Sequence, residues 1–381
     1  MRLKNYAVGE WVEGEGVETP LVHAVTGETF GEASSVGLDF KAMVEYARAV
    51  GGPKLRRMTF HQRARMLKAM AQHLMARKDE FYALSAATGA TKQDSWVDIE
   101  GGIGVLFVYA SKGRREFPDE PFYVDGPVEP LSKGGTFVGR HVCVPREGVA
   151  IHINAFNFPV WGMLEKLAPT LLAGVPAIVK PAAVTAYVTE AVFRAMVESG
   201  IFPEGSIQLV AGGAGDILDH VREQDVVAFT GSAATGRKLI RHPAIVEHAV
   251  RFNMEADSLN FSMLGPDARP GTEEFDLFVK EVAREMTTKA GQKCTAIRRT
   301  FVPGDLVGDV LQALSRRLDG LPLGDPSVEG VRWGPLAGRT QVGQVQANLD
   351  RLRAEAELVY GGPERLNVLG ADPEKGAFFP A

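Results

Sequence analysis

Cysteine is nearly absent. Only Cys143 and Cys294 occur in 381 residues, too few and too far apart for the disulfide framework of a small secreted domain. An excess of positive charge is lacking too: 42 Lys and Arg face 47 Asp and Glu, a net charge of -5, so no basic face is favoured that would neutralise a nucleic-acid backbone. The most apolar stretch, 167–179, is interrupted by Pro169, Thr170, Gly174 and Pro176, which removes the case for a membrane span. The opening MRLKNYAVGEWVEGEG has no apolar signal core. Internal repeats, low-complexity tracts and metal-spaced Cys/His clusters are also missing. We therefore expect a cytoplasmic, non-membrane chain that binds neither nucleic acid nor metal.

What is present is ordinary for a folded protein: 45% hydrophobic and 23% charged residues. The length predicts two or three domains. From DFKAMVEYARAV to DSWVDIEGGIGVLFVYAS the pattern is mostly helical, with Leu67, Met70, Leu74 and Phe81 recurring as the stripe of a helix on a core. A Pro/Gly-rich passage, FPDEPFYVDGPVEPLSKGG, leads into FVGRHVCVPREG, whose alternation predicts an exposed strand or hairpin at a domain boundary or assembly element. Beyond Gly148, VAIHIN, PAIVKP, SIQLV and DVVAFTG read as buried strands, with helices beginning at Phe158, Thr185, Gly215 and Ser232. The fold class is α/β with an open, mostly parallel sheet. A long helix from Glu274 to about Lys289 follows, carrying Phe275, Phe278, Val279, Val282 and Met286 on its apolar face.

In such a sheet, ligands bind at the carboxyl ends of the strands, where helix N-termini offer free N–H groups to phosphate. Gly231 and Ser232 open a helix directly after VVAFT. The run GSAATGRK is not a P-loop, because Arg237 stands where that motif needs Lys. Plain N-capping by Ser232 is the competing reading. Cys294, beside Lys293 in AGQKCTAIRR, is either a buried inert thiol or a nucleophile whose thiolate a nearby cation would favour. Cys143 reads as the inert kind. Glu255, at the end of FNME, is either a solvated carboxylate or a base. Asn157 lies between strand and helix, where it either caps or aims its amide at a developing oxyanion. Lys180 and Pro181 close PAIVKP at the ligand-binding edge, and His152 reads as a core residue.

Taken together, FNFP, AIVKPA, FTGSAATG, the Glu of FNMEADSLN and GQKCTA stand in the order and approximate spacing of the aldehyde dehydrogenase superfamily, which the chain resembles over essentially all its length. More narrowly, INAFNFPVWGMLEKLAP, DSWVDIEGGIG, MEADSLN and REMTTKAGQKCTAIRR resemble the dehydrogenase half of the bifunctional ring-opening enzymes of aerobic phenylacetate degradation, and the semialdehyde dehydrogenases of benzoyl-CoA pathways. The resemblance implies a Rossmann-like cofactor domain from 1–120 and 147–255, an oligomerisation hairpin at 121–146, and a second α/β catalytic domain over 256–381. It also implies that the catalytic domain is incomplete at its C-terminus, since relatives continue beyond KGAFFPA.

The same resemblance assigns roles. Cys294 matches the nucleophile, Asn157 and the Cys294 N–H the oxyanion donors, and Glu255 the base that activates water. Lys180 and Ser232 match contacts to the adenosine ribose and pyrophosphate, flanked by Pro181 and Gly231. Ala183 stands where NAD-preferring relatives commonly carry a Glu, and without that carboxylate a 2′-phosphate is not repelled, so NADP is the expected cofactor, with NAD accepted. The string Glu255-Ala256-Asp257-Ser258 departs from the paired glycines of the general family and points to a CoA-linked semialdehyde. A homo-oligomer, a dimer at least, and fusion to a hydratase domain are further expectations. The competing readings are a CoA-acylating dehydrogenase, disfavoured by Glu255, and a catalytically silent dinucleotide-binding or assembly protein.

Overall fold

The computed structural model describes residues 1–380, apart from the side chain of Glu364. At its centre five parallel strands, Ala150–Ile153, Ala177–Lys180, Ile207–Leu209, Val226–Gly231 and Arg251–Ala256, are joined by crossovers. Their spatial order places Val226–Gly231 on one side of Ala150–Ile153 and Ala177–Lys180 on the other, with Arg251–Ala256 and Ile207–Leu209 farther out. The order therefore reverses between Ala150–Ile153 and Val226–Gly231, and a crevice opens at their carboxyl ends. Each inner strand is a short apolar run, and Ile151, Ile178, Val179 and Leu209 are fully buried between helical layers, as a parallel sheet requires. Two further strands, Lys4–Ala7 and Glu10–Glu13, extend the sheet antiparallel beyond Ile207–Leu209.

One face is covered by helices Phe60–Ala76, Lys92–Arg115, Pro159–Leu172 and Ala186–Glu198. Leu67, Met70 and Leu74 are wholly buried and Phe81 nearly so; each stabilises the fold by roughly 1.5–3 kcal/mol of transfer free energy. Thr59 and Thr91 start the first two of these helices through capping boxes with Gln62 and Asp94. Helix Glu273–Thr287, capped by Thr272, buries Phe275, Phe278, Val279 and Val282 in a separate cluster. Its neighbour is helix Val307–Asp319, and Phe261–Met263 and Arg299–Phe301 pair as a separate two-stranded parallel sheet.

Two expectations are corrected. The segment from Gly215 forms only the 3-10 turn Ile217–His220, because Gly215 itself lies in the left-handed region at φ 48° and does not start a right-handed helix. Cys143 is exposed, not buried: it ends the hairpin strand Val138–Cys143, paired antiparallel with Tyr123–Pro130, and both strands stand mostly in solvent. Among the described residues no helix is long and apolar enough to cross a membrane, and no cluster of His, Cys, Asp and Glu could hold a metal ion.

Candidate active site

Asn157, Glu255 and Cys294, far apart in sequence, line one cavity of about 410 Å³, together with Thr230, Trp161 and Glu165. The parallel sheet brings them there. Asn157 follows strand Ala150–Ile153, and Glu255 sits near the carboxyl end of Arg251–Ala256, in register with Thr230 of the adjacent strand. The Thr230 hydroxyl donates to the Glu255 carboxylate at 3.2 Å, which aims an otherwise exposed carboxylate.

Cys294 is exposed in a turn after helix Glu273–Thr287, and its loop is fastened from several sides. Asn260 Nδ2 donates to the carbonyls of Cys294 and Ala296 at 2.6 and 3.2 Å. Arg298 donates to the carbonyls of Gly291 and Lys293 at 3.1 and 2.9 Å. Gln292 Nε2 donates to the Lys289 carbonyl at 3.0 Å, while its Oε1 accepts from the Ala337 N–H at 3.1 Å. Lys289 and Ala290, both at φ 53°, enter the loop in the left-handed region, a conformation costing each on the order of 1–2 kcal/mol. Sequence reasoning passed over Asn260, Gln292 and Arg298, although MEADSLN and GQKCTAIRR contain them.

Asn157 caps nothing. Its Nδ2 donates to the Gln292 carbonyl at 3.0 Å, which orients the amide and leaves its second N–H for the cavity. The Cys294 N–H has no protein acceptor among the described residues, so it and the second Asn157 N–H are both open to a ligand. Lys293 is less free than the sequence suggests, because its ammonium is ion-paired at 2.8 Å with the buried Glu285. Trp161 walls the cavity, its indole Nε1 donating to Glu165 at 2.9 Å. The glycines of EGGIG make room for it: a Cβ on Gly101 would stand 2.3 Å from the Trp161 ring.

The remaining predicted residues lie along the same edge of the sheet, outside that cavity. Gly231 ends its strand, and the Ser232 hydroxyl accepts from the Thr235 N–H at 3.2 Å, so the capping expected of Ser232 is realised. Asp257, at φ 53° where a glycine would be unstrained, accepts from the Ala233 N–H at 3.2 Å, so a carboxylate already meets this helix start. Lys180 ends its strand half-buried, Pro181 is buried, and Ala183 opens the turn Ala183–Thr185. Burial pulls the Lys180 ammonium below its ordinary pKa, while Glu18 opposes the shift. Glu18 accepts from the Ser35 N–H and hydroxyl at 2.6 and 3.0 Å and from the Gly213 N–H at 3.0 Å. Nothing in the local sequence marked it as a neighbour of Lys180.

A dinucleotide fits this edge on one direct observation. At the crevice, Asn154 is 5% exposed, and neither Nδ2 nor Oδ1 of its amide has a hydrogen-bond partner. Buried polar groups are seldom left so, and a polar ligand there would satisfy them.

A doubly wound sheet with a crevice at its switch point, and with a cysteine, a carboxylate and an amide gathered beside it, defines a nucleotide-dependent enzyme. The chain belongs to the aldehyde dehydrogenase family, whose model matches residues 11–381, and it is an oxidoreductase. It is 45% identical over 379 residues to the 3,4-dehydroadipyl-CoA semialdehyde dehydrogenase of Aromatoleum evansii, an alignment covering 99% of this chain and 73% of the relative. It is 27% identical to the alpha-ketoglutaric semialdehyde dehydrogenase of Bacillus subtilis, over 95% and 72% of the two chains. Betaine aldehyde dehydrogenase of Staphylococcus aureus, solved with NAD+, shares the fold with a TM-score of 0.86 at 23% identity, over 99% of this chain and 72% of that one.

Proposed function

We infer that the protein oxidises a CoA-linked semialdehyde from aromatic-acid degradation to its carboxylic acid. The observation that carries the chemistry is the convergence of Cys294, Glu255 and Asn157 on one cavity; the relative from Aromatoleum evansii supports the substrate class. The Cys294 thiolate attacks the aldehyde carbon, a C–S bond forms, and the carbonyl electrons move to oxygen. The second Asn157 N–H and the Cys294 N–H hold that oxyanion, each such donor supplying about 2.7–4 kcal/mol. A bound nicotinamide would supply the acceptor for the hydride that leaves carbon as the C=O bond re-forms, which would leave a thioester on Cys294. Glu255 takes a proton from water, whose oxygen attacks the thioester and expels the thiolate.

Lys180, Pro181, Gly231 and Ser232 are the residues that would hold the dinucleotide. NADP is our preferred cofactor, because Ala183 presents no carboxylate to a 2′-phosphate. Glu18, near Lys180, is the observation favouring NAD, but its three hydrogen-bond donors already offset its charge. Cofactor affinities decide the point: NADP should bind more tightly than NAD, and Glu18→Gln should widen the gap. The exposed 121–146 hairpin is the proposed contact between copies of the chain, and we assign 1–120 with 147–255 to the cofactor domain and 256–381 to the catalytic one. Acid formation from a CoA semialdehyde without free CoA tests the overall reading; an absolute requirement for free CoA would replace hydrolysis with thiolysis.

A further inference from the structure

Two motifs that the catalytic assignment leaves unused meet beneath the site. DSWVD supplies Asp94 and Asp98, one turn apart on helix Lys92–Arg115, and TTKAGQKC supplies Lys289. All three are buried, at 3%, 0% and 4% exposure, which is rare for charged residues and is tolerated only when they are paired.

Their contacts run in two directions. Asp98 Oδ1 accepts from the Val160 and Trp161 N–H groups at 3.0 and 2.8 Å. These belong to the first turn of helix Pro159–Leu172, whose own N-cap, Phe158, offers no side-chain acceptor. The turn so held lies directly after Asn157. Asp94 divides its carboxylate. Oδ2 closes the capping box with Thr91, and Oδ1 accepts from the Lys289 N–H at 2.8 Å, pinning the first of the two left-handed residues that lead to Cys294. The Lys289 ammonium donates to the Thr88 hydroxyl at 3.1 Å; burial pulls it below its ordinary pKa, with the charges of Asp94 and Asp98 opposing the shift. Burial pushes the Asp98 carboxyl up to about 7, with Lys289 and the two N–H groups opposing the shift.

We propose that Asp94, Asp98 and Lys289 form a buried bracket that sets the distance between the Asn157 amide and the Cys294 loop, so that one helical turn positions both partners of the oxyanion site. Lys289 joins the bracket through its backbone N–H, held by Asp94, and through its ammonium, held by Thr88. The bracket touches no reacting atom; its members are positioning residues. Asn157 Nδ2 to the Gln292 carbonyl, at 3.0 Å, is the contact the bracket maintains.

The proposal rests on Cys294 as nucleophile and Asn157 as oxyanion donor, so the experiment includes Cys294→Ala. The burst of reduced nicotinamide is followed by stopped flow with NADP and a medium-chain aliphatic aldehyde. Alkylation of Cys294 by iodoacetamide is measured alongside, with Cys143→Ser removing the second exposed thiol. Asp98→Ala should slow the burst about 10²-fold, the usual effect of a misplacement near 1 Å. It should leave aldehyde KM within about twofold and the alkylation rate within about fivefold, because the thiol's own loop is still held by Asp94. Asp98→Asn, which keeps the Oδ1 acceptor, should restore the burst to within about threefold. Should Asp98→Ala not fold, Asp98→Ser, too short to reach both N–H groups, carries the same expectations. A wild-type burst in the folded Ala or Ser variant overturns the bracket, as does a parallel fall in burst and alkylation, or an Asn variant no better than Ala. A burst that survives Cys294→Ala overturns instead the reading of the site on which the bracket rests.

Discussion

Asn157→Ala separates electrostatic stabilisation from simple placement. The amide makes one contact within the protein, to the Gln292 carbonyl at 3.0 Å, and presents its second N–H to the cavity. Losing the first costs about 1 kcal/mol, the net worth of an ordinary hydrogen bond, or roughly a fivefold effect through a looser Cys294 loop. Losing the second removes an oxyanion donor, worth about 10²–10³ in the rate of the step that builds negative charge on oxygen. The two effects read out differently. Alkylation of Cys294 by iodoacetamide is a displacement at carbon that builds no carbonyl oxyanion, so Asn157→Ala in a Cys143→Ser background should change it no more than about fivefold. The burst of reduced nicotinamide with an aldehyde should slow by about 10²–10³. Equal losses in both assays would refute the oxyanion role and leave Asn157 as a fastener of the loop.

Other consequences follow from the same geometry. Glu255→Gln should permit one burst of reduced cofactor and block steady turnover, because the amide can still accept from Thr230 but cannot take a proton from water; equal loss of burst and steady rate would contradict that division. Asp257→Gly should tighten dinucleotide binding by about tenfold, roughly 1.4 kcal/mol, since it frees the Ala233 N–H and removes a negative charge from the helix start. An unchanged dissociation constant by titration calorimetry would show that the carboxylate does not compete. His152 is fully buried and its pKa is lowered to about 3 by burial, with Lys166 adding to the shift. Its neutral form is the folded one, so its contribution to stability is complete above about 6.5 and is lost as pH falls from there towards 3, at up to about 1.4 kcal/mol per pH unit. Urea midpoints at pH 7 and pH 5 should therefore differ more in the wild type than in His152→Gln, and an equal pH dependence in both would count against it.

The parallel strands were legible because VAIHIN, PAIVKP, SIQLV and VVAFTG are short apolar runs bounded by Gly, Pro and polar residues, a pattern set by burial on both faces. The helical stripe of Leu67, Met70 and Leu74 was readable because burial of one face imposes a period near 3.6 residues. The N-terminal strands were not, since Lys4–Ala7 and Glu10–Glu13 span four residues each and gain their order by adding to an existing sheet edge. At the site, Asn157 and Glu255 after their strands and Cys294 in the loop after a helix were open candidates by residue type, the family resemblance singled them out, and the fold brings them to one cavity. The supports were hidden. Asp94 meets the Lys289 N–H across 195 residues, and Glu18 meets Gly213 across a similar separation; no local pattern encodes a contact of that range. Cys143 was misjudged because alternation in a hairpin reports exposure on either face only once its packing partner is known.

The central claim is that Cys294 forms the covalent adduct from which hydride leaves. Rapid mixing of the protein, NADP and a medium-chain aldehyde, followed by the absorbance of reduced nicotinamide beside Cys294→Ala, tests it most directly. A burst approaching one equivalent per active site that vanishes in the variant, while dinucleotide binding persists, is the predicted result. A burst of equal size in folded Cys294→Ala would contradict the account.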